Sequence, residues 1–458
     1  MLRNALFSAP IVAGFAVSAA FADVTPEEIW ENWQAMAKKV GQEMTVGEVA
    51  RDGDTLAVTD ITITQNDPDG SSATTRFDRL EFTDDGGGAV IVTIPESFRV
   101  ALSFPPKKKD KAKAAAMVLT VSQPGASIVA DGTASETSYE FILPESQIRL
   151  DEITDAAGAP LGTRMELSLT EVAGQYFIER DGDETWLDIA LSAETLGLSF
   201  SEKTAKPDSA GEVSLNLTDL ALYTKANMIG ADMTEDLAVR LNNGFELDMG
   251  ASFGALSMVS DYQEPAGPTR ITLDAGEGNA DLALDNGRLQ YGQALTDSRL
   301  VISGPGLPQP DSEIGLAEHA FEILLPASKY DEPEDFAYLT KFVDLTLSEN
   351  VWELLDPSGR LGHEPMTLVL DLRGAGFWHH DILDPAFDFG GDEAPGQLDW
   401  LEIAELRAKG AGADVSATGE LSFDNGDTET YGGMPNPTGT LSISLIGVQT
   451  RLDNLVAT

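Results

Sequence analysis

Hydrophobic and polar positions alternate along this chain with two different periods. Between residues 26 and 40 the apolar residues Ile29, Trp30, Trp33, Ala37 and Val40 recur at three- and four-residue spacing, the repeat of one helix face. Thr25 stands at the N-cap position, Pro26 at the first helical position, Glu28 three residues past the cap, and Gly41 just beyond the end. Together they predict a helix, with its two tryptophans on a face that packs inward.

After this helix the period becomes two. "TLAVTDITIT" (55–64), "RFDRLEF" (76–82), "RMELSL" (164–169), "WLDIALS" (186–192) and "VSLNLTDLALY" (213–223) mostly alternate apolar with polar residues, as half-buried strands do. Asp52-Gly53, Asp69-Gly70, Asp181-Gly182, Asn286-Gly287 and Asn425-Gly426 fall between such runs, where tight turns need positive φ. No helical crossovers separate the strands, so the sheet is expected to be antiparallel.

Helical signals return twice. "MTEDLAVRLNNG" can be capped by Thr234 and ended by Asn243-Gly244, and "EPEDFAYLTKFVDLTLSENVWELLDPSG" is expected to form a helical insertion near 332–356. Alternating strands follow each of them, up to "TGTLSISLIG". Three similar hexapeptides, "VTIPES" (92–97), "FILPES" (141–146) and "ILLPAS" (323–328), read as strand ends closed by proline. The expected architecture is mainly β: large, twisted antiparallel sheets with a few short packing helices. It divides into two related β-rich halves, 23–230 and 231–458.

Composition adds a compartment. Residues 1–22 carry Arg3, an apolar run to Ala20 and small residues at Ala20 and Ala22, which reads as a secretory signal cleaved before Asp23; the rival reading is a retained membrane anchor, for which the run is short and broken by Asn4, Ser8, Pro10 and Ser18. No later run is apolar for long enough to span a bilayer as a helix, so the mature chain is expected to be periplasmic and without a transmembrane span. The absence of cysteine excludes disulfides, thiol catalysis and cysteine-ligated metals. With 76 Asp plus Glu against 29 Lys plus Arg, a formal charge of −47, the chain repels phosphate backbones, which argues against nucleic-acid binding. Five lysines, Lys107, Lys108, Lys109, Lys111 and Lys113, break this acidity in one short run that reads as a solvated loop, with contact to an anionic partner as the alternative.

Candidate chemistry is sparse. "GASFG" (250–254) satisfies the Gly-x-Ser-x-Gly pattern, but a nucleophile elbow needs a helix after the serine, and strand-like sequence follows Ser252 instead. "GFWHHDILDP" (376–385) holds two of the chain's four histidines beside two aspartates. In an extended strand His379 and His380 point to opposite faces, so only a turn would bring His380 together with Asp384, and a metal would still need a third ligand such as His363 or Asp388. The competing reading is an aromatic and polar loop with Trp378 packed beneath it. Acidic stretches such as "ERDGDE" do not match a twelve-residue calcium loop. No catalytic residue and no cofactor is assigned, and His380 and Asp384 remain the metal candidates.

Several segments resemble a known family. "EEIWENWQAMAKKVGQ", "LQYGQALTDSRLVISGPGLPQP", "LSENVWELLDPSGRLGHEPMTLVLDLRG", "DILDPAF" and "ADVSATGELSFDNGDTETYGGMPNPTGTLSISLIG" are similar to exported alphaproteobacterial proteins catalogued as domain of unknown function 2125. The resemblance implies an exported, strand-rich protein and transfers no catalytic residues. It also departs from the family pattern, whose members continue past the last strand, whereas this sequence stops at "RLDNLVAT". The paired C-terminal strands are similar in pattern to the terminal repeats of AsmA-like envelope proteins, whose sheets curl into apolar grooves; this likeness concerns fold alone.

The functional expectation is a noncatalytic envelope protein whose curved sheet binds lipid or another envelope component. The alternatives are a structural or interaction protein with a solid core and, third, a metal-dependent hydrolase using the His379–Asp384 segment.

Overall fold

A computed structural model describes residues 23–447, apart from 40, 68, 106–113, 183, 204–209, 228–235, 308–310, 385–386, 388–394 and 432–433. The signal sequence, the lysine run and the final "RLDNLVAT" lie outside the described residues.

Helix α1 (Pro26–Lys39) opens the fold. It leads into β1 (Gln42–Thr45), β2 (Glu48–Asp52), β3 (Thr55–Asn66), β4 (Ser72–Asp84), β5 (Val90–Thr93), β6 (Ser97–Ser103), β7 (Ala114–Ser122), β8 (Ser127–Gly132) and β9 (Glu136–Asp155). The long strands β10 (Thr163–Asp181), β11 (Glu184–Lys203) and β12 (Ala210–Asn227) follow, and then α2 (Leu237–Asn242). Next come β13 (Glu246–Phe253), β14 (Ala255–Glu264), β15 (Gly267–Ala275), β16 (Gly278–Leu284), β17 (Arg288–Ser303), β18 (Ser312–Pro326) and β19 (Glu334–Leu347), ending at α3 (Glu349–Leu355). The chain then forms β20 (Met366–Trp378), β21 (Gly396–Gly410), β22 (Ala413–Asp424) and β23 (Asn436–Ile446).

Among the described residues, all 23 strands join one antiparallel sheet, so the mainly β, antiparallel expectation holds. The sheet does not break near residue 230: β12 pairs with both β13 and β14, and hydrogen bonding continues across the expected boundary. A duplication is nevertheless present. β4 pairs with β5 over one half of its length and β6 over the other, these pair with β8 and β7, and both of those pair with β9. The same plan recurs in β12, β13, β14, β16, β15 and β17.

The helical expectation for 332–356 is corrected in its first part. Residues 334–347 form β19, and only Glu349–Leu355 is helical. The run "FAYLTKFVDLTL" is rich in aromatic and β-branched residues, which suit a pleated surface, and strands on both sides supply its hydrogen-bond partners.

The helix at the start forms as its caps predict. The Thr25 N–H donates to Glu28 Oε2 at 2.9 Å, and the Glu28 N–H donates back to Thr25 Oγ1 at 3.3 Å, a reciprocal capping box. Its apolar face covers the first strands. Trp30 and Trp33 pack on Phe82 with ring centroids 5.8 and 5.4 Å away, above a fully buried cluster that includes Val58, Ile61, Leu80 and Val92.

Tyr139 joins this cluster, and burial pushes its phenol up to about 12. A raised phenol pKa means that the folded state holds the proton more tightly. Its stabilising contribution is complete below the unfolded phenol's pKa of about 10 and is lost as pH rises toward 12. Raising pH from about 9 to about 12 should therefore cost about 2 kcal/mol more in the natural chain than in Tyr139→Phe, as read from urea midpoints. Equal losses in the two proteins would contradict this assignment.

Candidate functional site

Apolar rows run along the sheet on each side of a central seam, unbroken on one arm and interrupted at Gln293 and Thr340 on the other. On one arm, residues paired from strand to strand form the row Phe98–Val121–Ile148–Leu167–Leu198–Leu215–Met258–Leu273–Leu300–Ile314–Leu347, with no polar interruption. On the other arm, Leu56–Phe82–Val92–Ile128–Phe141–Gly174–Leu191–Leu222–Ala251–Ala280 continues through Gln293 to Phe321, Thr340, Leu370, Leu406, Ala417 and Ile443. Neighbouring positions on the reverse face are mostly polar, as in Arg99–Thr120–Arg149–Glu166–Ser199–Ser214. At about 4.8 Å per strand the longer row extends about 75 Å, more than twice the ~30 Å hydrocarbon thickness of a bilayer.

Exposure separates the covered from the uncovered part. Beneath α1, Val58, Ile61 and Phe82 are 0% exposed. Every member of the eleven-residue row is only partly buried. A second layer packed across that face would have buried these leucines fully.

The seam explains how the two apolar faces stay on one side. Five acidic residues sit in mid-strand with left-handed backbone: Asp60, Glu171, Asp219, Asp297 and Asp344, with φ between 47° and 53°. One such residue breaks the two-residue alternation, so Val58 before Asp60 and Ile61 after it both enter the same buried cluster. Phe77, opposite Ile61, packs on that cluster and meets Phe98 at 4.7 Å, joining the two arms. Small or medium residues beside the seam, Val172, Ala193 and Ala275, are 2%, 3% and 8% exposed. They are more buried than the larger leucines on the arms.

Three of these bends share one hydrogen bond. The N–H groups of Gly47, Gly254 and Gly276 donate to the carbonyls of Thr59, Thr218 and Thr296 at 3.0, 2.8 and 2.9 Å, each just before the acidic residue. A Cβ at Gly254 would come within 2.7 Å of Asp219 Oδ2, so a larger residue there would displace the Asp219 carboxylate. The sequence signal was an apolar residue, threonine and an acid at 58–60, 169–171, 217–219 and 295–297. Sequence reasoning missed it because the same triplet at 82–84 and 153–155 has ordinary backbone.

These bends also account for two sequence features. Ser252 of "GASFG" lies within β13, where Gly250 accommodates the Tyr223 ring and Gly254 closes a bend, so no elbow forms. Among the proline hexapeptides, Pro144 is not at a strand end. It stands within β9 opposite Glu171, at the one step of that ladder without pairing, so its missing N–H costs nothing there.

The histidine segment lies at the rim, after β20. Trp378 Nε1 donates to the Pro326 carbonyl at 2.9 Å, and Asp381 accepts from the Lys329 N–H at 2.8 Å and from Asn242 Nδ2 at 3.2 Å. Asp381 thus ties together the segments around α2, the end of β18 and the end of β20. The Asp384 N–H donates to the Asp381 carbonyl at 3.2 Å, so "DILD" is a turn, while the His380 ring lies 5.9 Å from Phe387. His363 is engaged elsewhere: it stacks on Trp352 at 4.6 Å, and its Nδ1 is 2.9 Å from Glu349. Asp388 lies outside the described residues. Among the described residues, no three His, Asp or Glu side chains are grouped to hold a metal.

Set against known proteins, the chain matches no family model, no curated protein and no solved structure. The likeness to the exported family therefore rests on the quoted segments alone. Among the described residues no helix is long and apolar enough to cross a membrane.

Proposed function

We propose that this is a noncatalytic envelope protein that holds the acyl chains of lipids along its trough, acting in the periplasm. The observation that carries this reading is the eleven-residue apolar row, unbroken by a polar side chain and only partly buried throughout. So large an uncovered apolar surface is unfavourable in water at roughly 25 cal/mol per Å², and large exposed patches mark interaction sites. Among possible occupants, flexible hydrocarbon matches both the chemistry and the shape: it has no polar groups to satisfy and can lie along an apolar row that, at about 4.8 Å per strand, is about 48 Å long. The export signal read in residues 1–22 supports this reading, since an exported chain would have envelope lipids within reach.

The test is extraction. Full-length protein purified from its own envelope and examined by native mass spectrometry should carry lipid that organic solvent releases. Leu198→Glu combined with Leu215→Glu, two neighbours in the row, should abolish most of that lipid while the protein remains folded by circular dichroism. Lipid-free natural protein, or equal lipid in the double variant, would overturn the reading.

A further inference from the structure

The reverse, polar face of the sheet holds a site of different chemistry, near the rim where β10 and β12 end and β11 and β13 begin. A hollow of about 420 Å³ lies there. Strand register puts Glu179, Trp186, Asn227 and Glu246 side by side in one row. Phe177, Asp188, Lys225 and Asp248 form the next row on the same face.

Three observations define what the hollow would accept. First, Trp186 and Phe177 are 40% and 37% exposed on a face otherwise given to polar residues, and aromatic faces attract cations. Second, its own cations are already neutralised. Lys225 pairs with Asp188 at 3.4 Å and Arg288 with Asp285 at 3.3 Å, which leaves Glu179 and Glu246 with no cation among the described residues. Third, Asn227 is 3% exposed, and its Oδ1 has no hydrogen-bond partner. A buried amide oxygen without a donor is costly, and it can only accept.

We infer that this hollow binds a primary ammonium group. An R–NH₃⁺ ion can place its charge against the Trp186 ring and the free carboxylates and give an N–H to Asn227 Oδ1. A trimethylammonium ion could satisfy the aromatic rings but has no N–H for Asn227. The group could belong to an ethanolamine headgroup at the rim or to a soluble alkylamine. The headgroup source rests on the lipid reading above; the ammonium site itself does not.

Calorimetric titration of the full-length protein with ethylammonium and phosphoethanolamine, with tetramethylammonium as the counter-probe, tests the site. Saturable binding of at least one primary amine is expected, weakened about tenfold in Asn227→Leu and in the exposed, fold-neutral variant Glu246→Gln, with tetramethylammonium much weaker. No binding of either amine, tetramethylammonium bound equally well, or amine binding unchanged in Glu246→Gln would each overturn the proposal. Vesicles of phosphatidylethanolamine against phosphatidylcholine separate the sources: a preference for the former assigns a headgroup, and none assigns a soluble amine. The Leu198→Glu, Leu215→Glu variant keeps the two readings distinct, because it should lose lipid and still bind ethylammonium.

Discussion

Phe82→Ala is expected to lower the stability of the N-terminal end of the sheet by about 3–5 kcal/mol, the largest effect of any single substitution considered. Phe82 is 0% exposed and lies where β4 meets Leu56 on one side and Val92 on the other. Its ring also supports both Trp30 and Trp33. Removing it would open a cavity beneath α1 that Leu80 and Val92, themselves buried and held in paired strands, cannot collapse to fill. The loss should be local. In so long a sheet distant strands share few contacts with this cluster, so unfolding is not expected to be a single cooperative step. The share of the tryptophan emission that comes from Trp30 and Trp33 should therefore shift at lower urea than the far-ultraviolet circular dichroism, whereas the natural chain keeps the two transitions closer. A change below about 1 kcal/mol would mean that α1 does not depend on this contact.

The contrast between this end and the rest of the sheet bears on ligand linkage. The covered strands have a conventional buried core, while the arms beyond expose one apolar face. A ligand on that face would stabilise the arms by mass action without altering the α1 cluster.

Much of this architecture was legible in the sequence, and the limits of that legibility have physical causes. The α1 caps, the period-two strands and three of the five turn signals translate directly: Gly53, Gly70 and Gly182 take positive φ in their turns, whereas Gly287 and Gly426 do not. These features are local, set by a few neighbouring residues. The helical reading of 334–347 failed because a proline and an acidic start suggested a first turn, while neighbouring strands on both sides decided the outcome. Sequence alternation showed that each strand has one apolar side, but not that all such sides align, because alignment depends on register across strands far apart in the chain. The bends were hidden for a related reason. Asp219 takes positive φ where β12 changes partners from β14 to β13, and the triplet around it does not disclose the change. The histidines attracted notice by their rarity, yet the residue in that segment with the clearest structural task is Asp381, an ordinary-looking aspartate.

The bends make a prediction that separates backbone from side-chain roles. Asp219 is exposed and has φ 52°, a conformation that aspartate tolerates and β-branched residues resist. Asp219→Val should cost about 1–3 kcal/mol, read by chemical denaturation, although it removes no buried contact. Asp219→Gly should cost almost nothing, since relief of the left-handed penalty offsets the added freedom of the unfolded chain. Asp219→Asn should fall close to the natural protein. If strain at this residue fixes the bend, the valine variant should also become more open to proteolysis between β12 and β14, where Leu217 and Leu256 pair just beyond it. Valine and glycine variants of equal stability would show that the carboxylate, and not the backbone, holds the seam. In that case the five acidic residues would have to be explained by their charge, and the continuity of the two apolar faces would need another cause.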